Sequence, residues 1–154
     1  FAQSGLVEQG YSHVICGPRG HGSEYIETVA QAHENVHLLG RVSDAELRWL
    51  YANASGFVLP SLLEGFGVPV IEAAYRGLPS VVSANTAQEE AVNGHAICVD
   101  PMSVEEIAEG FRKNVGLSPK ESRDMVDAGD AHAKAWTRED YLAAWRDVLL
   151  NPPE

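Results

Sequence analysis

Short apolar runs alternate with amphipathic, helix-like segments along the first 100 residues. The runs lie at residues 12–16, 36–39, 56–59, 80–82 and 96–99. Strands this short and continuously apolar, separated by helices, are typical of a parallel sheet that is covered by helices on both faces. The pattern therefore predicts an α/β fold with a doubly wound, Rossmann-like parallel sheet.

Helix start and stop signals divide the segments between these runs. The order Ser43-Asp44-Ala45-Glu46 is a capping box, in which serine and glutamate satisfy each other's backbone N–H groups. Further helices are expected at residues 23–32 and 68–76, the second one ending at Gly77. Strands and helices thus follow one another in chain order, as the doubly wound fold requires.

After Asp100-Pro101 the pattern changes to helix only. Ser103 to Glu106 reads as a second capping box, Ser118-Pro119 as an N-cap followed by a first-turn proline, and Thr137 to Asp140 as a further N-cap. Three helices are therefore expected over residues 103–150, as a helical tail of one domain over residues 1–154. Tryptophans stand at helical spacings and are expected to pack in the interior; they are Trp49, Trp136 and Trp145.

Length and charge exclude several classes of protein. A chain of 154 residues with 45 % hydrophobic residues is long enough for one domain with its own core. The net charge of −11 argues against non-specific binding to nucleic acid or to anionic membranes. No apolar run approaches the ~20 residues of a membrane span. Cys16 and Cys98 each close an apolar run, so buried thiols and a cytoplasmic location are expected.

Residues 64–72 carry the most specific chemistry, with Glu64 and Glu72 on either side of a loop that contains Gly65 and Gly67. The stretch follows the strand predicted at 56–59 and leads into a helix. Free N–H groups at a helix start bind phosphate, and carboxylates accept hydrogen bonds from sugar hydroxyl groups. The stretch therefore predicts a site for a nucleotide-sugar. Taken singly, the glutamates would also fit a solvated loop residue and a partner of the helix dipole.

An ordered set of short motifs surrounds this stretch. The motifs are Val36-His37-Leu38-Leu39-Gly40-Arg41-Val42, Phe57-Val58-Leu59-Pro60-Ser61, Glu64-Gly65-Phe66-Gly67-Val68-Pro69, Glu72-Ala73-Ala74, Gly77-Leu78-Pro79 and Asp100-Pro101. Over residues 36–101 the chain resembles the C-terminal half of a family 4 glycosyltransferase, a retaining class with two facing Rossmann-like domains. The two glutamates match that family's pair of acidic residues.

The resemblance implies a role for each candidate residue. Glu64 would be the catalytic candidate that contacts the hydroxyl groups of the donor sugar, and Glu72 would bind the ribose. Arg41 and Val42 would lie on the nucleobase side, although a solvent-exposed arginine fits the sequence equally. The sugar and diphosphate would be bound by the backbone of Gly65, Phe66, Gly67 and Val68. Glycines allow the backbone to approach the ligand, and the positive end of the helix faces the β-phosphate.

A second glycine-rich loop, residues 17–22, follows the first predicted strand. It does not spell the GxGxxG pattern of dinucleotide sites, so a plain turn is the favoured interpretation. Arg19 and His21 remain candidates for contacts to the diphosphate. The loop at residues 85–90 follows another strand at the same edge of the sheet, but it has Glu89-Glu90 where the family often has Pro-Glu.

No cofactor or metal is expected. The chain has no DxD triplet, which agrees with a leaving group that is stabilised by a helix dipole and basic side chains. The expected partners are a nucleotide-diphosphate sugar as donor and a glycan, a lipid-linked molecule or a small molecule as acceptor. Membrane association of the full protein is possible but is not indicated by this sequence.

The family's half-domain usually opens with a strand and a basic loop, and no such segment precedes Ser12. In the usual doubly wound order the absent strand would lie in the middle of the sheet. We therefore expect a fragment with unpaired strand edges in its core, inactive alone, whose acceptor domain lies elsewhere. Two other functions stay open: a non-catalytic nucleotide-sugar-binding module, and a sugar-nucleotide epimerase.

Overall fold

The computed structural model describes residues 1–20, 22–135 and 137–151. Five strands and seven helices are present in the described part of the chain; six of the helices lie where the sequence predicts them, whereas the fourth lies where residues 85–90 were expected to form a loop. The strands and helices are β1 (His13–Cys16), α1 (Ser23–Gln31), β2 (Val36–Gly40), α2 (Asp44–Asn53), β3 (Phe57–Leu59), α3 (Val68–Tyr75), β4 (Ser80–Ser83), α4 (Ala87–Ala91), β5 (Ile97–Val99), α5 (Val104–Gly116), α6 (Pro119–Lys134) and α7 (Arg138–Leu150). Among the described residues no helix is long and apolar enough to cross a membrane.

All strand pairs are parallel, but the strands form two separate sheets. One sheet contains β1 and β2, and the other has the order β3–β4–β5. Strands β1 and β3 are each hydrogen-bonded along one edge, and a cavity of about 490 Å³ is lined by residues of both, including Val14 and Val58. The doubly wound α/β class is confirmed, with a gap between its two groups of strands.

The core lies around the three-stranded sheet. All four residues of β4 are buried, and Val82 packs with Val70 of α3 and with Val92. A second cluster joins Tyr51 of α2 to Ala73 of α3. Helix α5 packs against β4 and β5, and α6 packs on the other side of α3. Helix α3, which begins at the candidate site, is thus held between the sheet and the helical tail.

The helix starts follow the predicted signals with one correction. Ser43 and Glu46 form the predicted capping box. The second predicted box is only half formed: the Ser103 hydroxyl accepts the N–H of Glu106 at 3.1 Å, but the Glu106 carboxylate accepts the N–H of Asp100 at 2.9 Å. The turn before Ser103 offers that N–H as a competing donor. Conversely, Ser118 forms a complete box with Glu121, where the sequence suggested only an N-cap and a proline.

The predicted helical tail is present, but the packing expected of the tryptophans is wrong for the two that are described. Trp49 is 64 % exposed, because the buried side of α2 centres on Tyr51. Trp145 is half exposed and contacts Tyr141 of the same helix, and α7 has no buried residue. Trp136 lies outside the described residues.

The expected burial of the cysteines is also wrong, since both thiols are free and exposed. Cys16 ends β1, where three of the four strand residues are exposed. Cys98 faces outward on β5, whereas the next residue, Val99, points into the core. An apolar run therefore marks these strands correctly without deciding which of their side chains are covered.

Candidate active site

A loop at residues 60–67 connects β3 to α3 at the carboxyl edge of the three-stranded sheet. Gly67 is the N-cap of α3 and has a φ of +90°, a conformation that favours glycine. A Cβ at Gly67 would also lie 3.3 Å from Cγ of Gln88. No side chain of the described residues caps the start of α3. Pro69 has no N–H and the N–H of Val70 donates to the carbonyl oxygen of Gly67 at 2.9 Å, so among the first three residues of α3 it is the N–H of Val68 that can be offered to an anion.

Glu64 is held in this loop by a serine. The Ser61 hydroxyl donates to Oε1 of Glu64 at 2.9 Å, and the Glu64 residue is half-buried. The carbonyl oxygen of Ser61 in turn accepts a hydrogen bond of 2.7 Å from the hydroxyl of Ser83, which ends β4. A single serine donor leaves the other carboxylate oxygen available for a ligand hydroxyl group.

Glu72 is held by a residue from another helix. The hydroxyl of Tyr51 donates to Oε2 of Glu72 at 3.3 Å and lies 3.4 Å from the carbonyl oxygen of Pro69. Burial, and next the negative charge of Glu72, raise the pKa of Tyr51, so the phenol stays protonated and remains a donor. Glu72 is itself exposed, on the second turn of α3. Both glutamates therefore stand near the start of one helix, each oriented by a hydroxyl group.

The residues that follow Glu64 in the loop differ in how far they are exposed. Phe66 and Val68 are exposed, at 39 % and 54 %, whereas Gly67 between them is buried. Gly65 has open space where a Cβ would be. The predicted phosphate-binding segment thus has exposed residues on both sides of the buried Gly67 and leads directly into α3.

Arg41 and Val42 belong to the other sheet. They follow β2 and Gly40, which has a φ of +65°. Arg41 is exposed and Val42 is half-buried. The two residues therefore lie with the β1–β2 pair, whereas both glutamates are carried by the loop and helix that follow β3.

The glycine-rich loop after β1 shows a surface ion pair. Arg19 pairs with Glu27 of α1 at 3.2 Å, and the Arg19 side chain is largely exposed. His21 lies outside the described residues. The loop at 85–90 forms the start of α4, where Thr86 is the N-cap and Oε2 of Glu89 accepts the N–H of Asn85 at 2.7 Å. In the described part of the chain, no group of three or more His, Cys, Asp or Glu side chains could hold a metal ion.

Three residues near the site were not assigned to it from the sequence: Tyr51, Ser83 and Gln88. For Tyr51 the sequence offers a signal, because the hydroxyl group of a buried tyrosine needs a partner. Ser83 and Gln88 have no exposed surface. Their role depends on strand neighbours that are distant in sequence, so no local pattern indicates it.

Comparison with known families gives one match that covers most of the chain. The family model described as glycosyl transferases group 1 matches residues 4–132. This range includes β1 to β5, both glutamates and most of α6. It leaves out α7, the helix without a buried residue.

Curated relatives share a similar part of the chain. The O-antigen chain mannosyltransferase B of Escherichia coli is 37 % identical over 105 residues, which are 68 % of this chain and 27 % of that protein. The MMP alpha-(1->4)-mannosyltransferase of Mycolicibacterium hassiacum is 37 % identical over 101 residues, 64 % of this chain and 24 % of that protein. The chain thus spans about a quarter of the length of these relatives.

Solved structures show the same fold at low sequence identity. The alpha,alpha-trehalose 6-phosphate synthase of Burkholderia multivorans superposes with a TM-score of 0.81 at 14 % identity, over 96 % of this chain and 38 % of that one. WaaG, described as a glycosyltransferase involved in lipopolysaccharide biosynthesis, superposes with a TM-score of 0.68 at 20 % identity, over 91 % of this chain and 38 % of that one. Both coverages again correspond to part of a longer protein.

Proposed function

Because the chain belongs to the glycosyl transferases group 1 family, we propose that it is the donor-binding part of a retaining hexosyltransferase. In this proposal a nucleotide-diphosphate sugar is the donor, a glycan, lipid-linked or small molecule is the acceptor, and no metal ion takes part. Both cysteines are free in the described structure, which agrees with a cytoplasmic location.

The observation that carries the proposal is the arrangement of two carboxylates around one uncapped helix start. Glu64 is oriented by Ser61 before α3 begins, and Glu72 is oriented by Tyr51 on the second turn. A ligand that bears hydroxyl groups at two places and a phosphate between them matches this order. The sugar, diphosphate and ribose of a nucleotide-sugar have that order.

Each group then has a defined task. Glu64 accepts hydrogen bonds from the donor sugar, and Glu72 accepts them from the ribose. The backbone from Gly65 to Val68 faces the diphosphate, whose charge grows as the anomeric C–O bond breaks. Arg41 and Val42 contribute to the nucleobase side. In a front-face displacement the acceptor oxygen bonds to the anomeric carbon on the face from which the diphosphate leaves. The proton of the acceptor hydroxyl group passes to the leaving phosphate oxygen.

The cavity supports the further proposal that a strand from the longer protein completes the sheet. In the doubly wound order 3-2-1-4-5-6, the five observed strands correspond to the series 3-2 and 4-5-6, with the first strand absent between them. The cavity lies between β1 and β3, the two strands that would flank it. A basic loop after that strand would neutralise the diphosphate, and the acceptor would bind to a second domain.

Site variants of the full-length protein test this function. Hydrolysis of GDP-mannose, UDP-glucose and UDP-N-acetylglucosamine measures donor use without knowledge of the acceptor, and two relatives named as mannosyltransferases make the mannosyl donor the first choice. We expect Glu64→Ala to lower kcat by roughly 100-fold and Glu72→Ala mainly to raise KM for the donor.

Glu105→Ala, on the exposed side of α5, is the matched control and should behave as the parent protein. If neither Glu64→Ala nor Glu72→Ala changes hydrolysis of an accepted donor, the assignment of the site is wrong. Donor binding without any hydrolysis or transfer by the parent protein would instead indicate a binding module.

A further inference from the structure

A series of hydrogen bonds runs from buried residues of the core to Glu64. The side-chain oxygen Oε1 of Gln88 accepts the backbone N–H of Ser83 at 2.9 Å. The Ser83 hydroxyl donates to the carbonyl oxygen of Ser61 at 2.7 Å, and the Ser61 hydroxyl donates to Glu64 at 2.9 Å. These hydrogen bonds link the end of β4 to the loop that follows β3, because neighbouring parallel strands end at the same edge of the sheet.

The two innermost residues of this hydrogen-bond series cannot touch a ligand. Ser83 and Gln88 both have 0 % of their surface exposed, whereas Glu64 is half-buried and Ser61 partly so. Any effect of Ser83 or Gln88 on the reaction must therefore pass through the loop. Burial also makes the hydrogen bonds persistent, since a buried polar group that loses its partner has no water to replace it.

Gln88 contacts the loop at its other end as well. Its Cγ lies 3.3 Å from the place where a Cβ on Gly67 would be, so it packs directly behind the N-cap of α3. Its Nε2, by contrast, has no partner among the described residues. A buried amide with an unmet donor is costly, and an apolar side chain would fill the same space without that cost. The hydrogen bond that Oε1 of Gln88 accepts from Ser83 is therefore the reason for an amide side chain at this position.

We propose that Ser83, itself fixed by Gln88, positions Glu64 through Ser61 and so sets the rate at which the donor reacts. The loop 61–67 is held at Ser61 by a hydrogen bond and at Gly67 by packing, and Glu64 lies between these two points. Displacement of Ser61 would move the carboxylate while leaving the helix start in place. This inference rests on the role of Glu64 proposed above.

A double-mutant cycle in the full-length protein tests it. We expect Ser83→Ala to lower kcat for hydrolysis of the best donor of the panel by roughly 10- to 100-fold, because a small misplacement of a reacting group is enough to do so. KM should change little, since Glu72 and the start of α3 are untouched. In the Glu64→Ala background, Ser83→Ala should have almost no further effect.

The matched control is Ser80→Ala. Ser80 is buried on the same strand, but its hydroxyl donates to the carbonyl oxygen of Leu78 at 3.3 Å, at the end of β4 away from the loop. Ser80→Ala should keep the parent kcat while lowering Tm about as much as Ser83→Ala does. Ser83→Thr keeps the hydroxyl and should restore most of the rate. Gln88→Met keeps Ser83 but removes the oxygen that accepts its N–H, and should also lower kcat. This variant carries the test if Ser83→Ala does not fold.

The outcomes separate this inference from the proposed function. If Glu64→Ala loses activity while folded Ser83→Ala and Gln88→Met keep the kcat of Ser80→Ala, the positioning role is wrong and the site assignment stands. A reduction by Ser83→Ala that is equal in the parent and Glu64→Ala backgrounds would also overturn it, since the serine would then act independently of Glu64. If Glu64→Ala has no effect, the role proposed for Glu64 is wrong and the positioning role is overturned with it.

Discussion

Strands β1 and β4 have similar apolar sequences but different surroundings. All four residues of β4 are buried, while three of the four residues of β1 are exposed. Strand β4 has β3 and β5 as neighbours and α3 and α5 packed against it, whereas β1 lines the cavity and, among the described residues, pairs with β2 alone. Burial in this molecule is thus decided by the number of neighbours and not by the hydrophobicity of the strand.

The candidate active site follows the same division. Both glutamates belong to the packed side, where Ser61 of the same loop orients Glu64 and Tyr51 of α2 orients Glu72. Arg41 and Val42 belong to the side of β1 and β2, where the strand surface is more exposed. A site that must hold reacting groups closely is expected on the packed side, since rigid surroundings reduce the freedom of its side chains.

The largest expected effect concerns His13, which connects the two sides. Its ring stacks on Phe1 at 5.4 Å and meets Phe111 of α5 edge-on at 5.1 Å. Burial, and then the positive amino group of Phe1, lower the pKa of His13 from 6.5 to about 4. Between pH 6.5 and 4, His13 is therefore protonated in the unfolded chain but neutral in the folded chain. Stability should fall by on the order of 3 kcal/mol as the pH decreases from 6.5 to 4.

Urea unfolding of this chain at several pH values measures the effect. His13→Leu should flatten the dependence between pH 6.5 and 4, because leucine takes up no proton on unfolding. His37→Gln, which removes an exposed histidine from β2, is the control for loss of a histidine. An unchanged slope in His13→Leu would show that His13 is not what destabilises the fold in acid.

The next effect compares the two strands directly. Val81 of β4 is 0 % exposed and Val14 of β1 is 40 % exposed, so the same truncation removes different amounts of buried surface. We expect Val81→Ala to cost about 2 kcal/mol of unfolding free energy and Val14→Ala less than about 1 kcal/mol. Denaturant unfolding of both variants gives the difference. Equal losses in the full-length protein would show that a further segment covers β1 there.

The smallest effect tests how tightly α5 packs on the three-stranded sheet. A Cβ at Gly110 would lie 2.8 Å from Cγ1 of Val81 and 3.0 Å from Cγ1 of Val99, two stiff side chains in buried strands. Gly110→Ala should therefore destabilise the fold by about 1–2 kcal/mol. Gly116→Ala, in the last turn of the same helix, meets open space and should be neutral or slightly stabilising. Thermal unfolding distinguishes them, and equal Tm values would contradict close packing here.

Much of the fold and part of the site could be predicted before any tertiary contact was known. The strands, and all helices of the described residues except α4, occur where the apolar runs and capping residues indicate, and the loop with Glu64 leads into α3 as its glycines suggest. The prediction failed for Trp49, Trp145 and the two cysteines, which belong to correctly placed elements but are exposed. It also missed that Glu106 would bind the N–H of Asp100. These errors concern which partner a side chain meets.

Local sequence is enough to predict the order of the strands and of most helices, the glycine that begins α3, and the two glutamates around it. These features depend on backbone preferences and periodicity within a few residues. Packing between distant parts of the chain buries β4 and leaves β1 exposed, brings Tyr51 to Glu72, and brings Ser83 to the loop of Glu64. The last two contacts join residues 21 and 22 positions apart, so they exist only after the chain has packed its strands and helices together.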